Sequence, residues 1–169
     1  MEFSEALRRE YRRMFRSLTV RQERRAIVPQ VVRSLVAHRR RYERAGAPVG
    51  VPWWFVAILH DLEGARSFHR PEPSRTWAQS ATEGLMRRGL ADVGGWSITR
   101  ALYRFEHLEG FGYRPLDVPS PYLWSFSQHY ERGAFSSEGV FEPELVSRQC
   151  GAAVLLRTLV DHGQVALLV

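Results

Sequence analysis

The stretch VPWWFVAILHDLEGARSFHR, residues 51–70, constrains the fold more than any other part of the chain. Pro52 suits the first turn of a helix, and Trp53, Trp54, Phe55, Val56, Ala57, Ile58, Leu59 and Leu62 then follow on all sides. A helix that is apolar all round has to be covered by other elements. The pattern therefore predicts a central buried helix at about 52–66 with further helices packed around it. Glu63 stands one turn beyond Leu59 and two beyond Val56, so its side chain should emerge on an apolar face near the helix end. A carboxyl in apolar surroundings resists ionisation, moving from about 4.3 toward about 6, the range of a general acid. The competing reading pairs Glu63 with one of the many arginines.

Those arginines are the second constraint. All 24 basic residues are arginine, and against 18 acidic residues they leave a net charge of +6. Such a balance favours anionic polymers, among them nucleic acid, anionic lipid and the bacterial cell envelope. From Ser4, Phe3, Leu7, Tyr11, Met14, Phe15 and Leu18 recur at helical spacing while Arg8, Arg9, Arg12, Arg13 and Arg16 fall largely elsewhere, which predicts a basic amphipathic helix over 4–18. No run approaches the roughly 18 apolar residues of a membrane span, and the first residues carry no continuous apolar core of a secretion signal. A protein made in the cytoplasm is expected. The single Cys150 reads as a packed thiol in an apolar helical run.

The remaining segments also read as helices within one domain of 169 residues. A pattern from about Val20 to Tyr42 carries Ile27, Val28, Val31, Leu35 and Val36 inward, with Pro29 marking a kink or restart. Arg39 to Arg41 and Arg44 read as its last turns. Trp77 to Gly89 forms a shorter helix with Ala81, Leu85 and Met86 inward, and Ser97 caps another through Ile98, Ala101, Leu102 and Phe105. Glu109 to Tyr130 is rich in glycine, proline and aromatics, as a cleft-lining loop passing into a short helix would be. Pro143 should open a C-terminal helix running to Val160, and a short hairpin is expected near 133–141.

The usual catalytic signatures are missing. His38, His60, His69, His107, His129 and His162 form no paired ligand motif, so no metal is expected; no phosphate-binding glycine loop and no nucleophile elbow occur, so neither is a cofactor. What remains is a carboxylate at the end of a buried helix, together with a segment bearing Phe111, Tyr113, Tyr122, Trp124 and Tyr130. Sugars present apolar CH faces as well as hydroxyls. Aromatic platforms beside a glutamate of raised pKa therefore suit glycoside cleavage.

HDLEGARSFH, LYRFEHLEGFGYR, SPYLWSFSQHY and VSRQCGAAVLLR together resemble a bacterial and phage lysozyme family of the lysozyme-like superfamily, which includes goose-type lysozymes and soluble lytic transglycosylases. The resemblance spans about residues 8–162. It implies a single all-α lysozyme-like domain that hydrolyses the β-1,4 bond between N-acetylmuramic acid and N-acetylglucosamine in peptidoglycan glycan strands, on the anionic cell envelope, after release or export. It implies Glu63 as the general acid, Tyr113 in the place of the groove tyrosine, and a groove completed by His60, Tyr122, Trp124 and Tyr130. Two departures stand out. The loop after Phe68 is shorter than in such families, and Glu109 stands where they carry asparagine, so a second carboxylate falls to Glu109 or Glu72. The alternative class is a non-catalytic relative or an arginine-rich nucleic-acid- or protein-binding domain, with nucleic acid the less favoured partner.

Overall fold

The computed structural model describes residues 1–63, 68 and 76–167. Among them lie eight helices and one two-stranded antiparallel sheet, a mainly α architecture. Helix α4 (Trp53–Leu62) is its centre, with all ten residues buried. It packs against α2 (Val28–Ala37), α3 (Arg39–Gly46) and α8 (Ala152–Asp161), and Phe55 stacks on Phe105 of α6 (Ile98–Glu109) with ring centroids 4.2 Å apart. The all-round apolar run has thus produced the covered helix that its composition demands. None of the helices is long and apolar enough to cross a membrane, among the described residues.

Helix α1 (Glu5–Ser17) buries Leu7, Tyr11 and Phe15 against α6, and the Ser4 hydroxyl accepts the Leu7 N–H at 3.2 Å as an N-cap. Its link to α6 is polar as well as apolar. Tyr11 donates to the Glu106 carboxylate at 2.5 Å, and Arg114 reaches the same carboxylate at 2.7 Å and Glu10 at 3.2 Å. Burial and the neighbouring Glu106 push the Tyr11 phenol far above its ordinary value, so it stays a donor.

Four expectations need correction. The pattern from Val20 to Tyr42 is not one helix: Pro29 sits in the first turn of α2, and the chain breaks at His38, whose ring Nδ1 meets the Ser34 carbonyl at 2.9 Å. Arg39 to Arg41 therefore open α3 instead of closing α2, with Arg39 paired to Glu43 at 2.7 Å. The central helix stops at Leu62, short of residue 66. Met86, expected inward, is exposed on α5 (Trp77–Arg87), while Leu85 is buried as expected. The C-terminal helix begins at Ala152, not at Pro143, and Leu145 and Val146 lie exposed. Gly151 explains the late start: a Cβ there would stand 2.3 Å from the Leu123 carbonyl oxygen, so the chain crosses α7 (Pro121–Trp124) closely before it coils. The expected hairpin is present as β1 (Ala134–Phe135) and β2 (Phe141–Glu142).

Candidate active site

Three helices end together. Glu63 is the residue after α4, Arg88 the residue after α5, and Glu109 the last residue of α6. Gly110, at φ 82°, lets the chain leave α6 directly after Glu109, a conformation other residues adopt only with strain. Glu63 and Arg88 form an ion pair, with side chains 36% and 42% exposed. Glu109 lies within electrostatic reach of both. Its carboxyl is pushed above the ordinary glutamate value by burial first and by the Glu63 charge second, with Arg88 pulling the other way. The trio thus holds two carboxyls in unlike settings, Glu63 paired with Arg88 at the surface and Glu109 more buried with its pKa raised.

Beside them lies a cleft of about 350 Å³ whose lining includes Leu62, Tyr113, Tyr122, Phe135, Arg148 and Gln149. Leu62, the direct neighbour of Glu63, lines this cleft, and Glu109 lies within electrostatic reach of Tyr113 and Tyr122. Tyr113 stands edge-on to Tyr122 and to Phe135, at 6.0 and 5.0 Å between centroids, and its hydroxyl accepts the Phe135 N–H at 3.1 Å. Burial is the main cause that raises both phenols, and the charge of Glu109 adds to it. Both tyrosines therefore remain neutral hydroxyls that can donate to a ligand. Gln149 donates its amide to the Asp61 carbonyl at 2.5 Å, tying this wall of the cleft to the end of α4.

The structure separates the expected site residues into two groups. Glu109, Tyr113 and Tyr122 converge, and Glu63 lies beside Glu109. Glu63, however, is not in an apolar pocket, because α4 stops one residue before it and the side chain emerges at the surface against Arg88. His60 is buried in the core, its Nδ1 3.1 Å from the Tyr42 hydroxyl and its ring packed near Trp77 and Phe68. Trp124 is buried edge-on to His129 and faces a different cavity, shared with Glu10 and Arg114. Tyr130 is buried as a loop pin, its hydroxyl donating to the Gly133 carbonyl and accepting the Ser147 N–H, each at 3.2 Å. Their aromatic character placed these three in the groove, and packing accounts for each instead. Glu72 lies outside the described residues.

Sequence reasoning missed Arg88, Phe135, Arg148 and Gln149. Arg88 is one arginine among many, in an ordinary position after a helix, and nothing local marks it. No group of three histidine, cysteine, aspartate or glutamate side chains converges as a metal ligand set among the described residues. No protein-family model, curated protein or solved structure compared with the chain matches it.

Proposed function

We propose that the protein is a peptidoglycan hydrolase that cleaves the β-1,4 bond between N-acetylmuramic acid and N-acetylglucosamine, acting on the wall after release or export from the cytoplasm. One observation carries the reading: Glu109, its carboxyl raised by burial and by the Glu63 charge, stands with Glu63 about Arg88 and within electrostatic reach of Tyr113 and Tyr122, which face a cleft. Glycoside cleavage asks for that division of labour, one carboxyl giving a proton to the leaving oxygen and a second, ionised one assisting water or the developing cation. The family resemblance assigns the acid to Glu63. The burial of Glu109 and the ion pair of Glu63 favour the reverse, with Glu109 as proton donor and Glu63 as the charged partner. Tyr113 and Tyr122 supply apolar ring faces for the sugar and hydroxyls for its polar edge.

Glu109→Gln and Glu63→Gln, each assayed on purified walls and on soluble glycan oligomers, should lose about 10²- to 10⁴-fold in turnover with the fold retained. An unimpaired Glu109→Gln removes that residue from the chemistry, and unimpaired turnover in both removes the mechanism. A second reading has its own support. The exposed pairing of Glu63 with Arg88 is also what a non-catalytic relative would keep as a surface tie between α4 and α5. A wild type without measurable turnover on either substrate would decide for it.

A further inference from the structure

The cleft that holds Tyr113 and Tyr122 is walled by rings and alkyl groups, and Arg148 is the one charged side chain in its lining among the described residues. Its guanidinium has no ion pair, hydrogen bond or ring contact among those residues. Other arginines near the site are answered: Arg88 by Glu63, and Arg132, before the hairpin, by Glu144. Arg148 alone is left facing a cavity with its charge unused.

The backbone that carries it is fixed on both sides. Ser147 gives its N–H to the Tyr130 hydroxyl at 3.2 Å, Gln149 gives its N–H to the Ser147 hydroxyl at 3.3 Å, and the Gln149 amide reaches the Asp61 carbonyl at 2.5 Å. A ligand that takes the guanidinium therefore has only the side chain left to order, which lowers the entropic cost of binding.

Charge also divides the cleft. Glu109 bears on Tyr113 and Tyr122, whereas Arg148 is not among the charges that act on Glu109 or on either tyrosine. The cation thus stands apart from the carboxyl-bearing end, and a ligand lying along the cleft meets the two signs at different places. A neutral sugar chain carries nothing that needs the cation, and a phosphate polymer asks for several cations where this lining offers one. A single carboxylate beside a methyl group uses what is there: the guanidinium takes the carboxylate, and Leu145 and Val146, 37% and 46% exposed, give the methyl an apolar surface. A lactyl ether on a sugar ring has that form. We infer that Arg148 binds the carboxylate of an acidic side arm on the glycan, on the lactyl group itself or on a peptide that extends it, and so selects acidic glycan over neutral β-1,4-linked N-acetylglucosamine. The inference rests on reading the cleft as a glycan site, and it concerns binding, not bond cleavage.

The test is isothermal titration calorimetry on Glu63→Gln/Glu109→Gln, which keeps its ligands uncleaved under either assignment of the acid. The probes are chitotetraose, the alternating tetrasaccharide of N-acetylglucosamine and N-acetylmuramic acid with free lactyl carboxylates, and the same tetrasaccharide bearing stem peptides. An acidic ligand should bind at least about tenfold tighter than chitotetraose, the scale of a charge-assisted hydrogen-bonded pair, and Arg148→Gln added to this background should bring it within about twofold of chitotetraose. The affinity for chitotetraose itself should hold. Arg33→Gln, which removes an exposed charge from α2, should leave the preference intact. A preference confined to the free lactyl ligand places the carboxylate on the sugar, one confined to the peptide-bearing ligand places it on the peptide, and either supports the inference. Equal affinity for acidic and neutral ligands, a parallel loss of chitotetraose binding in Arg148→Gln, an equal loss in Arg33→Gln, or no binding of any glycan would each overturn it. The two readings fail separately. Arg148-dependent binding by a protein without glycan turnover would overturn the catalytic reading and leave this one standing, while wall turnover by Arg148→Gln at an unchanged KM would do the reverse.

Discussion

Arg88 is the residue on which the balance between the two carboxyls turns, since it pairs with Glu63 and lowers the proton affinity of Glu109. Arg88→Gln removes a cation from beside Glu109, so the proton should be held to higher pH and the alkaline limb of the pH–rate profile should move upward. Glu63→Gln removes a like charge and should move the limb of its residual activity downward. Profiles on soluble glycan oligomers would check both, and a limb unmoved in Arg88→Gln would take Glu109 out of the donor role. Stability offers a second readout. A carboxyl whose folded pKa lies above its unfolded one stabilises the fold only while protonated, and that contribution is lost as pH rises through the raised value. Glu109→Gln should therefore melt above wild type near pH 8, by about 2–4 °C for each kcal/mol recovered, and the difference should close below the ordinary glutamate value. Part of this was legible in residue type: Tyr113 and Tyr122 stand edge-on to one another at a cleft, and Glu63 lies beside Glu109. His60, Trp124 and Tyr130 were not separable from them, because an aromatic ring has the same sequence signature whether a cleft or a core receives it.

Among the elements, α1, α4 and α6 were readable because their periodicity and caps agree with their packing, Ser4 and Ser97 both accepting N–H groups at the first turn. The boundaries that escaped the sequence are set by tertiary contact. Nothing near Pro143 announces that the chain must first pass within reach of Leu123, where only Gly151 fits. Gly151→Ala would drive a methyl against backbone, and a melting curve should show a loss of about 1–3 kcal/mol, the range for forcing extra volume into a packed site. The α1–α6 junction depends instead on charge. Arg114→Met leaves the nearly buried Glu106 without its cation and should cost about 3 kcal/mol. In a chain of this size that is a fall in melting temperature of about 6–12 °C, with turnover per folded molecule unchanged.

For the whole molecule, the net charge of +6 should govern encounter more than chemistry. Clearance of whole cells should slow as salt rises, because the attraction is screened beyond about 8 Å at physiological ionic strength, while turnover of short neutral oligomers should hold steady. Parallel salt titrations with the two substrates would show it, and equal sensitivity in both would place the effect in the site. The way the site is assembled bears on which reactions it can favour. The helices α4, α5 and α6 meet there by their carboxyl ends, so three sets of outward carbonyls give the locality a negative potential that side chains alone do not supply. Acyl and phosphoryl transfer gather negative charge on oxygen and would be opposed by that field. A sugar ring losing its leaving group becomes an oxocarbenium ion, and a backbone arranged in this way would draw that cation toward it.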